Sequence, residues 1–437
     1  MTTDFPTSLD SLTNPDSSST MVSVPHVDQH ANANDAIESL QTKVGVDNSA
    51  VTTSHDYKIS TLEDEMDTAQ TDINAAEAAL TAHEATVHDL GSAFMHRQAI
   101  INGNFQVWQR GTTNSTFTDA TNVFMADCWR DSADDDGGTK PTLSRTRELL
   151  TSGDIFASYF YNRLTSDGAG TSLGSSSLHS YIQGIEHGTR SLAGNGRKVT
   201  LSFYARSSVA DKRLGVLLLQ NYGTGGSPTA QETIAGTNFT LTSTWTQYTH
   251  TFTLNTLAGK TFGTSGNDQL KLVFRYVWGS SLQTDVGAAS AETYVGSGTT
   301  DIAQVQLCSG EEALPFQTKS YDDELRACLR YCWVPSPATQ DFVGWGSAYN
   351  TTGAYIFMHT PVPMSGSKTL TCTADHYELW DPAVGATALT AISLSTSTNY
   401  LLWFLITVAS GLTAYRQYYL RADTSIPRLM IISADLV

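Results

Sequence analysis

A pyranose ring stacks one face on a flat apolar ring, and its hydroxyls need guanidinium, amide, carboxylate or hydroxyl partners. Two sets of residues offer that chemistry. In the middle of the chain Tyr159, Tyr161 and Arg163, then Ser202, Tyr204 and Arg206, then Lys271 and Arg275, recur at alternate positions of strand-like segments. On a concave sheet, Tyr204, Arg206 and Arg275 line one groove; the plain alternative is a solvated sheet or an interface between copies. Nearer the end, Trp345, Tyr349, Tyr355, Tyr377 and Trp380 fall in loop-rich sequence, where exposed aromatics serve binding. They serve equally as the core of a small domain.

Other constellations are weaker. Asp131, Asp134, Asp135 and Asp136, followed by two glycines, concentrate carboxylates as a Ca²⁺ site does, but without EF-hand spacing. The run is therefore a structural Ca²⁺ candidate or a solvated turn. Cys328 and Cys332, four apart on an expected helix, and His26 and His30 have metal-ligand spacing; buried thiols and ordinary polar positions are the alternatives. Glu148 and Glu186 could form a glycosidase pair, or be strand-edge charges. There is no H-E-x-x-H zinc motif, no glycine-rich phosphate loop and no long β-helix repeat. The expectation is a non-enzyme without a required cofactor.

Composition narrows the partners. The 437 residues carry 43 acidic and 25 basic side chains, a net charge of −18, and charged residues are only 16%. Such acidity, with no basic block, argues against nucleic acid. The charge is concentrated in residues 1–98, which hold 16 acidic and 3 basic side chains. No basic stretch leads into an apolar one at the start, so no secretory signal is expected, and the apolar run Leu401 to Ala409 is too short to span a bilayer.

The elements that must position these residues follow from periodicity. Residues 1–30 are polar with scattered apolar positions and read as an extended arm. Ala31 to Val44 reads as a short helix ended by Gly45. Ile59, Leu62, Met66, Ala69, Ile73, Ala76, Leu80, His83, Val87 and Leu90 then alternate spacings of three and four, with Phe94 extending the series. That is a heptad seam, roughly 50 Å of helix, and it predicts a coiled-coil stalk through residue 98. His83 in the seam is either an axial site and register lock or a tolerated polar residue. From residue 99 the period becomes two: Val199, Leu201, Phe203 and Ala205 alternate with polar neighbours, and Phe156 to Leu164, Tyr181 to Glu186, Tyr248 to Leu254 and Leu270 to Trp278 follow suit. This predicts a mainly β chain with an antiparallel jelly-roll sandwich over 99–320, a helical linker over 321–334 and a smaller β domain over 335–437. Within the last, Tyr355 to His359, Lys368 to Thr373, Tyr400 to Val408 and Leu429 to Ile432 read as strands.

Several phrases resemble the tail-fibre and receptor-binding proteins of bacteriophages: HVDQHANANDAIESLQTKVGVDNSAVTTSHDYKI before the heptads, IINGNFQVWQRGT, ADCWRDSADDDGG, YIQGIEHGTRSLAGNGRKVTLSFYARSSVADKRLGV, QNYGTGGSP, and the exit DIAQVQLCSGEEALPFQTKSYDDELRACLRYCW. Together they cover about residues 26 to 334. Cys308 stands where many members carry Glu. The resemblance implies a parallel homotrimeric fibre in the virion, made in the host cytoplasm. It implies that residues 1–50 hold other virion proteins, and that a jelly roll similar to carbohydrate-binding modules and the distal domain face a host surface polysaccharide. A head or neck fibre, a baseplate connector and a glycan depolymerase are the other readings.

Overall fold

The computed structural model describes residues 18, 20, 26–45, 47–93, 98–114, 121–151, 155, 158–194, 196–294, 296–335, 337–423 and 430–436. Two compact units divide the chain, residues 1–94 and 95–437. It is mainly β.

The first unit is helical. The helix expected from Ala31 begins earlier, at His26, and runs to Val44. Its first turn carries Asp28, a carboxylate that favours the positive helix start, which composition alone hides among polar residues. Gly45, at φ 91°, ends it in a conformation glycine adopts freely. Ser54 then starts the long helix His55–Ala93 by accepting the Tyr57 N–H at 3.2 Å. Ile59, Leu62, Met66, Ile73 and Leu80 are 50–71% exposed. Thus an apolar stripe at heptad spacing lies uncovered within the chain. The side chains of His83, Val87 and Leu90, and Phe94 altogether, lie outside the described residues.

The second unit holds two β modules side by side. The first is a sandwich of two six-stranded antiparallel sheets. In spatial order the first sheet is Thr113–Asn114, Leu143–Leu149, Phe160–Ser166, Gly298–Ser309, Lys198–Ser207 and Thr246–Thr253. The second is Thr121–Phe124, Trp129–Asp134, Leu178–Glu186, Gln269–Trp278, Arg213–Asn221 and Glu232–Thr240. Alternation sends Val199, Leu201, Phe203 and Ala205 from one sheet against Leu270, Leu272, Phe274 and Tyr276 from the other. Trp129 stacks on Tyr181 at 5.0 Å, and Phe203 meets Phe274 edge-on at the same distance.

The entry phrase Ile101–Phe105 closes one end of this core. Asn102, at φ 56°, accepts the Val107 N–H through Oδ1 and donates through Nδ2 to the carbonyls of Val107 and Asp127. Its own N–H reaches the buried carboxylate of Glu324 on the helix Tyr321–Leu329. That helix stops at Leu329, so Cys332 is not on it: Cys332 begins the strand Cys332–Trp333, and the two thiols are buried in different elements rather than sharing a helix face. Cys332–Trp333 pairs with Met430–Ser433, which also pairs with Thr369–Cys372.

The second module is a closed six-stranded barrel in the order Phe342–Ala348, Gly353–His359, Leu401–Val408, Gly385–Ser397, Tyr377–Asp381, Gln417–Ala422. In the strand Gly385–Ser397 the large apolar residues Leu389, Ile392 and Leu394 are not evenly alternate, because the register shifts between Leu389 and Ala391 and between Leu394 and Thr396, which is why its alternation escapes a sequence reading. Inside are Ala348, Ala354, Ile356, Leu379, Leu402, Phe404, Ile406 and Leu420. Small residues beside large ones let a narrow barrel fill its interior.

Glu186 joins the modules. It ends a sandwich strand and accepts hydrogen bonds from Arg330 Nε and Nη2 at 2.7 Å, Tyr331 OH at 2.9 Å and Ser365 Oγ at 2.8 Å. Burial pushes this carboxyl up, but its four donors prevail and hold it at about 2. A depressed carboxylate stabilises the fold above its unfolded value, and the contribution disappears as pH falls through about 2. Glu186→Gln therefore costs about 1–3 kcal/mol at neutral pH, and its deficit relative to the wild type shrinks as urea titrations are moved from pH about 5 to about 2. A deficit independent of pH over that window would show that the charge is not what binds.

Candidate functional site

The outer wall of the barrel is aromatic. Trp380, Tyr419, Trp345, Phe357 and Trp403 are direct cross-strand partners, each paired to the next, across five of the six strands. All five alternate with residues that fill the barrel, so all five point outward. A β-bulge adds a sixth ring. Phe342 and Trp345 are three residues apart and would face opposite ways in a regular strand, but the register shifts between Phe342 and Gly344, leaving both outside. They are 54% and 57% exposed.

Ring contacts define two groups. Phe342 lies 5.5 Å from Trp380 and 5.3 Å from Tyr419 between centroids. Trp345 lies 6.2 Å from Phe357, which is 5.5 Å from Trp403; Tyr355 meets Trp403 edge-on at 5.0 Å and Tyr349 at 4.6 Å. Between the groups the bulge leaves a depression of about 270 Å³, lined by Phe342, Val343, Gly344, Trp345, Phe357, Met358, His359 and Tyr419. Beside it Arg421 donates to Glu378 at 2.6 Å, with its guanidinium 5.4 Å over Trp380. The cup thus presents flat apolar walls with a charged pair at its edge. Such a surface stacks on the apolar face of a ring that carries polar groups on its rim.

Sequence reading found part of this set. Trp345, Tyr349, Tyr355 and Trp380 all lie on the outer wall, although three of them are on strands rather than loops; Tyr377 belongs to the barrel core at 1% exposure. Phe342, Phe357, Trp403 and Tyr419 were missed. Phe357 and Trp403 were legible as alternate positions of expected strands, whereas Phe342 depended on a bulge that nothing in the sequence announces.

The sandwich residues divide differently from expectation. Tyr204 and Arg206 face outward from the first sheet and Arg275 from the second, so the three cannot line one groove. Arg206 and Arg163 both donate to Asp301, at 2.9 and 2.8 Å, and Arg206 lies 4.5 Å over Trp245. Arg275 pairs with Asp285 at 3.0 Å. Tyr159 is exposed while Tyr161 is buried, its hydroxyl 3.4 Å from Arg206. Glu148 and Glu186 stand on opposite outer faces and cannot flank one glycosidic bond; Glu186 is the joint described above.

The acidic run does not converge. Asp131 turns into the core, where Arg145 donates to it at 2.7 and 2.6 Å and His179 Nε2 lies at 3.1 Å. Burial alone pushes Asp131 up, but Arg145 and His179 overcome it and hold it below the usual range. Asp134 accepts the Asp136 N–H at 2.9 Å, Asp136 accepts the Ser176 N–H at 2.8 Å, and Asp135 lies 3.6 Å from Lys140. Among the described residues no group of three or more His, Cys, Asp or Glu side chains could hold a metal, which also leaves His26 and His30, both on the first helix, without a site. The letters Gly170, Thr171, Ser172, Leu173 and Gly174 match a nucleophile elbow, which needs a strand before and a helix after. Here Ser172 is exposed, at φ 54°, on a loop leading to the strand Leu178–Glu186.

No protein-family model matches the chain, and no curated protein sequence matches it. Solved structures similar to part of it include three modules. The N-terminal cellulose-binding domain of Cellulomonas fimi β-1,4-glucanase C is 20% identical over 41% of this chain and 94% of that one, with a TM-score of 0.23. The family 11 carbohydrate-binding module of Clostridium thermocellum cellulase Lic26A-Cel5E is 10% identical over 47% and 100%, with a TM-score of 0.23. The xylan-binding CBM22-1 domain of Paenibacillus barcinonensis Xyn10C is 11% identical over 46% and 94%, with a TM-score of 0.21.

Two outcomes follow. Trp345→Ala changes stability by no more than about 0.5 kcal/mol because over half the side chain is already in water, whereas Leu379→Ala in the barrel core costs about 2–5 kcal/mol; denaturant titration separates them. Addition of a chelator leaves the melting temperature unchanged, since the carboxylates of the acidic run already have partners within the chain.

Proposed function

We propose that this chain is a non-enzymatic fibre protein of a bacteriophage virion that adheres to a host surface glycan through its barrel. The observation that carries the binding reading is the aromatic cup: six rings held outside a barrel whose core is filled without them, two of them more than half exposed around a depression of about 270 Å³. Contiguous exposed rings of this kind are sites of contact. Their walls suit sugar rings, and the neighbouring Arg421 and Glu378 suit hydroxyls.

Assembly is the second part of the proposal. The exposed stripe Ile59, Leu62, Met66, Ile73 and Leu80 on a 39-residue helix supports self-association, each copy covering the others' apolar seam; that the assembly is a parallel homotrimer is what the resemblance to fibre proteins implies. Three cups on one stalk gain avidity without new contacts. The polar N-terminal segment, residues 1–50, would hold other virion proteins; the protein would be made in the host cytoplasm and carried on the particle.

Saturation binding of fluorescent full-length protein to host cells, before and after periodate oxidation of surface sugars, tests the adhesion. Saturable binding abolished by periodate, and weakened about tenfold by Trp345→Ala, is expected. Binding insensitive to periodate moves the rings to a protein partner, as on a head fibre or connector. Release of reducing ends would make the chain a depolymerase. For assembly, deletion of residues 59–90 leaves monomers in light scattering; a trimer that survives it overturns the stalk.

A further inference from the structure

The aromatic cup lies where two strands of the barrel part. Phe342–Ala348 and Gly353–His359 are paired from Ala348 with Ala354 up to Trp345 with Phe357, and the ladder ends there although both strands run on. An antiparallel ladder alternates pairs that exchange both backbone hydrogen bonds with pairs that exchange none. The Tyr349 N–H reaches the Gly353 carbonyl at 3.0 Å, which makes Ser347 with Tyr355 and Trp345 with Phe357 the exchanging pairs. The next in that series is Val343 with His359, and it is missing. On its other side Gly353–His359 pairs with Leu401–Val408, where the Val408 N–H reaches the Thr352 carbonyl at 2.9 Å and the Thr360 N–H reaches the Tyr400 carbonyl at 3.0 Å. By the same alternation the His359 backbone is turned away from that strand, toward the cup.

Both residues of the missing pair line the depression of about 270 Å³. Val343 is the extra residue of the bulge, with no register partner on Gln417–Ala422 either. Backbone N–H and C=O groups left out of a ladder take water or a ligand as partners. Here they do so between flat rings, since Phe342, Trp345, Phe357 and Tyr419 wall the same hollow. At its edge Arg421 is already held by Glu378, so that pair calls for no ionic ligand. The hollow is smaller than the roughly 300–1,000 Å³ of drug-sized sites, room for one sugar residue and not for a chain.

An acetamido group carries what such a split can pair: an N–H donor and a C=O acceptor set as in a peptide bond, with a methyl for the ring walls to cover. We propose that the cup takes a single terminal N-acetylated amino sugar, its acetamido group completing the missing Val343–His359 step of the ladder and its ring stacked on Trp345 or Phe342. This deepens the glycan reading of the barrel and rests on it. A terminal residue of this class keeps adjacent hydroxyls, the groups periodate cleaves, so adhesion through it is periodate-sensitive.

The test is calorimetric binding of full-length protein to triacetylchitotriose, to cellotriose, which has hydroxyls in place of the acetamido groups, and to an acetylated tetraglycine amide. The acetylated sugar binds at least about tenfold tighter than cellotriose. His359→Pro, which removes the N–H facing the cup and no bond of the ladder to Leu401–Val408, loses that margin, while His359→Ala keeps it. Equal binding of the two sugars overturns the inference without any variant having to fold; where both still depend on Trp345, the glycan reading of the barrel stands. A margin lost in His359→Ala overturns it too, because the imidazole and not the backbone would then be the donor, and so does a margin kept in a His359→Pro that folds. Tetraglycine amide binding as tightly as the acetylated sugar makes the split a peptide-docking edge and overturns the sugar class. No binding of triacetylchitotriose beside periodate-sensitive adhesion to cells overturns only the acetamido class, whereas adhesion that survives periodate, with no sugar bound, removes the glycan reading and this inference together.

Discussion

The contact between Glu186 and the segment that leaves the sandwich makes one body of two β modules. A carboxylate at the end of a sandwich strand receives a forked guanidinium, a phenol and a serine hydroxyl, all from Arg330, Tyr331 and Ser365 on the barrel side. Bidentate guanidinium pairing fixes direction as well as distance. Gln109 adds a second tie by donating to the Cys332 carbonyl at 2.8 Å and accepting the Val334 N–H at 3.2 Å, and Arg110 a third through Asp435.

Inside each module the governing requirement is that a strand has two faces and only one can be buried twice over. The sandwich satisfies it by facing two sheets. It then meets a second requirement, for its buried charges, with local neutralisation: Asp131 with Arg145 and His179, Glu292 with Lys212 and Arg213, Asp301 with Arg163 and Arg206. The arrangement suits a low-dielectric interior, where each unpaired charge is expensive.

The barrel meets the same requirement by closing on itself, which leaves its outer wall to water. Rings on that wall are not needed for the core, which Ile356, Leu379, Phe404 and Leu420 already fill. A single bulge at Val343 places Phe342 beside Trp345 and opens the cup between them. Local backbone irregularity has here re-aimed a side chain at a rim, a common use of bulges.

Periodicity determined much from the sequence alone. Spacings of three and four marked the long helix, and alternation marked most sandwich strands, because these signals are local and a helix or strand displays them whatever it packs against. Trp345, Tyr349, Tyr355 and Trp380 were recognisable as rings that could bind. What only the tertiary structure decided was which face of which sheet a residue joins. Arg206 and Arg275 follow the same alternation yet point to opposite sides of the sandwich, and Asp131 leaves its acidic neighbours for Arg145, fourteen positions on. Strand order brings together residues such as Glu186 and Arg330, 144 apart, and no spacing within a segment encodes that pairing. Phe342 and the strand Gly385–Ser397 were illegible for a related reason: both depend on bulges, and a bulge owes its form to the neighbour it pairs with.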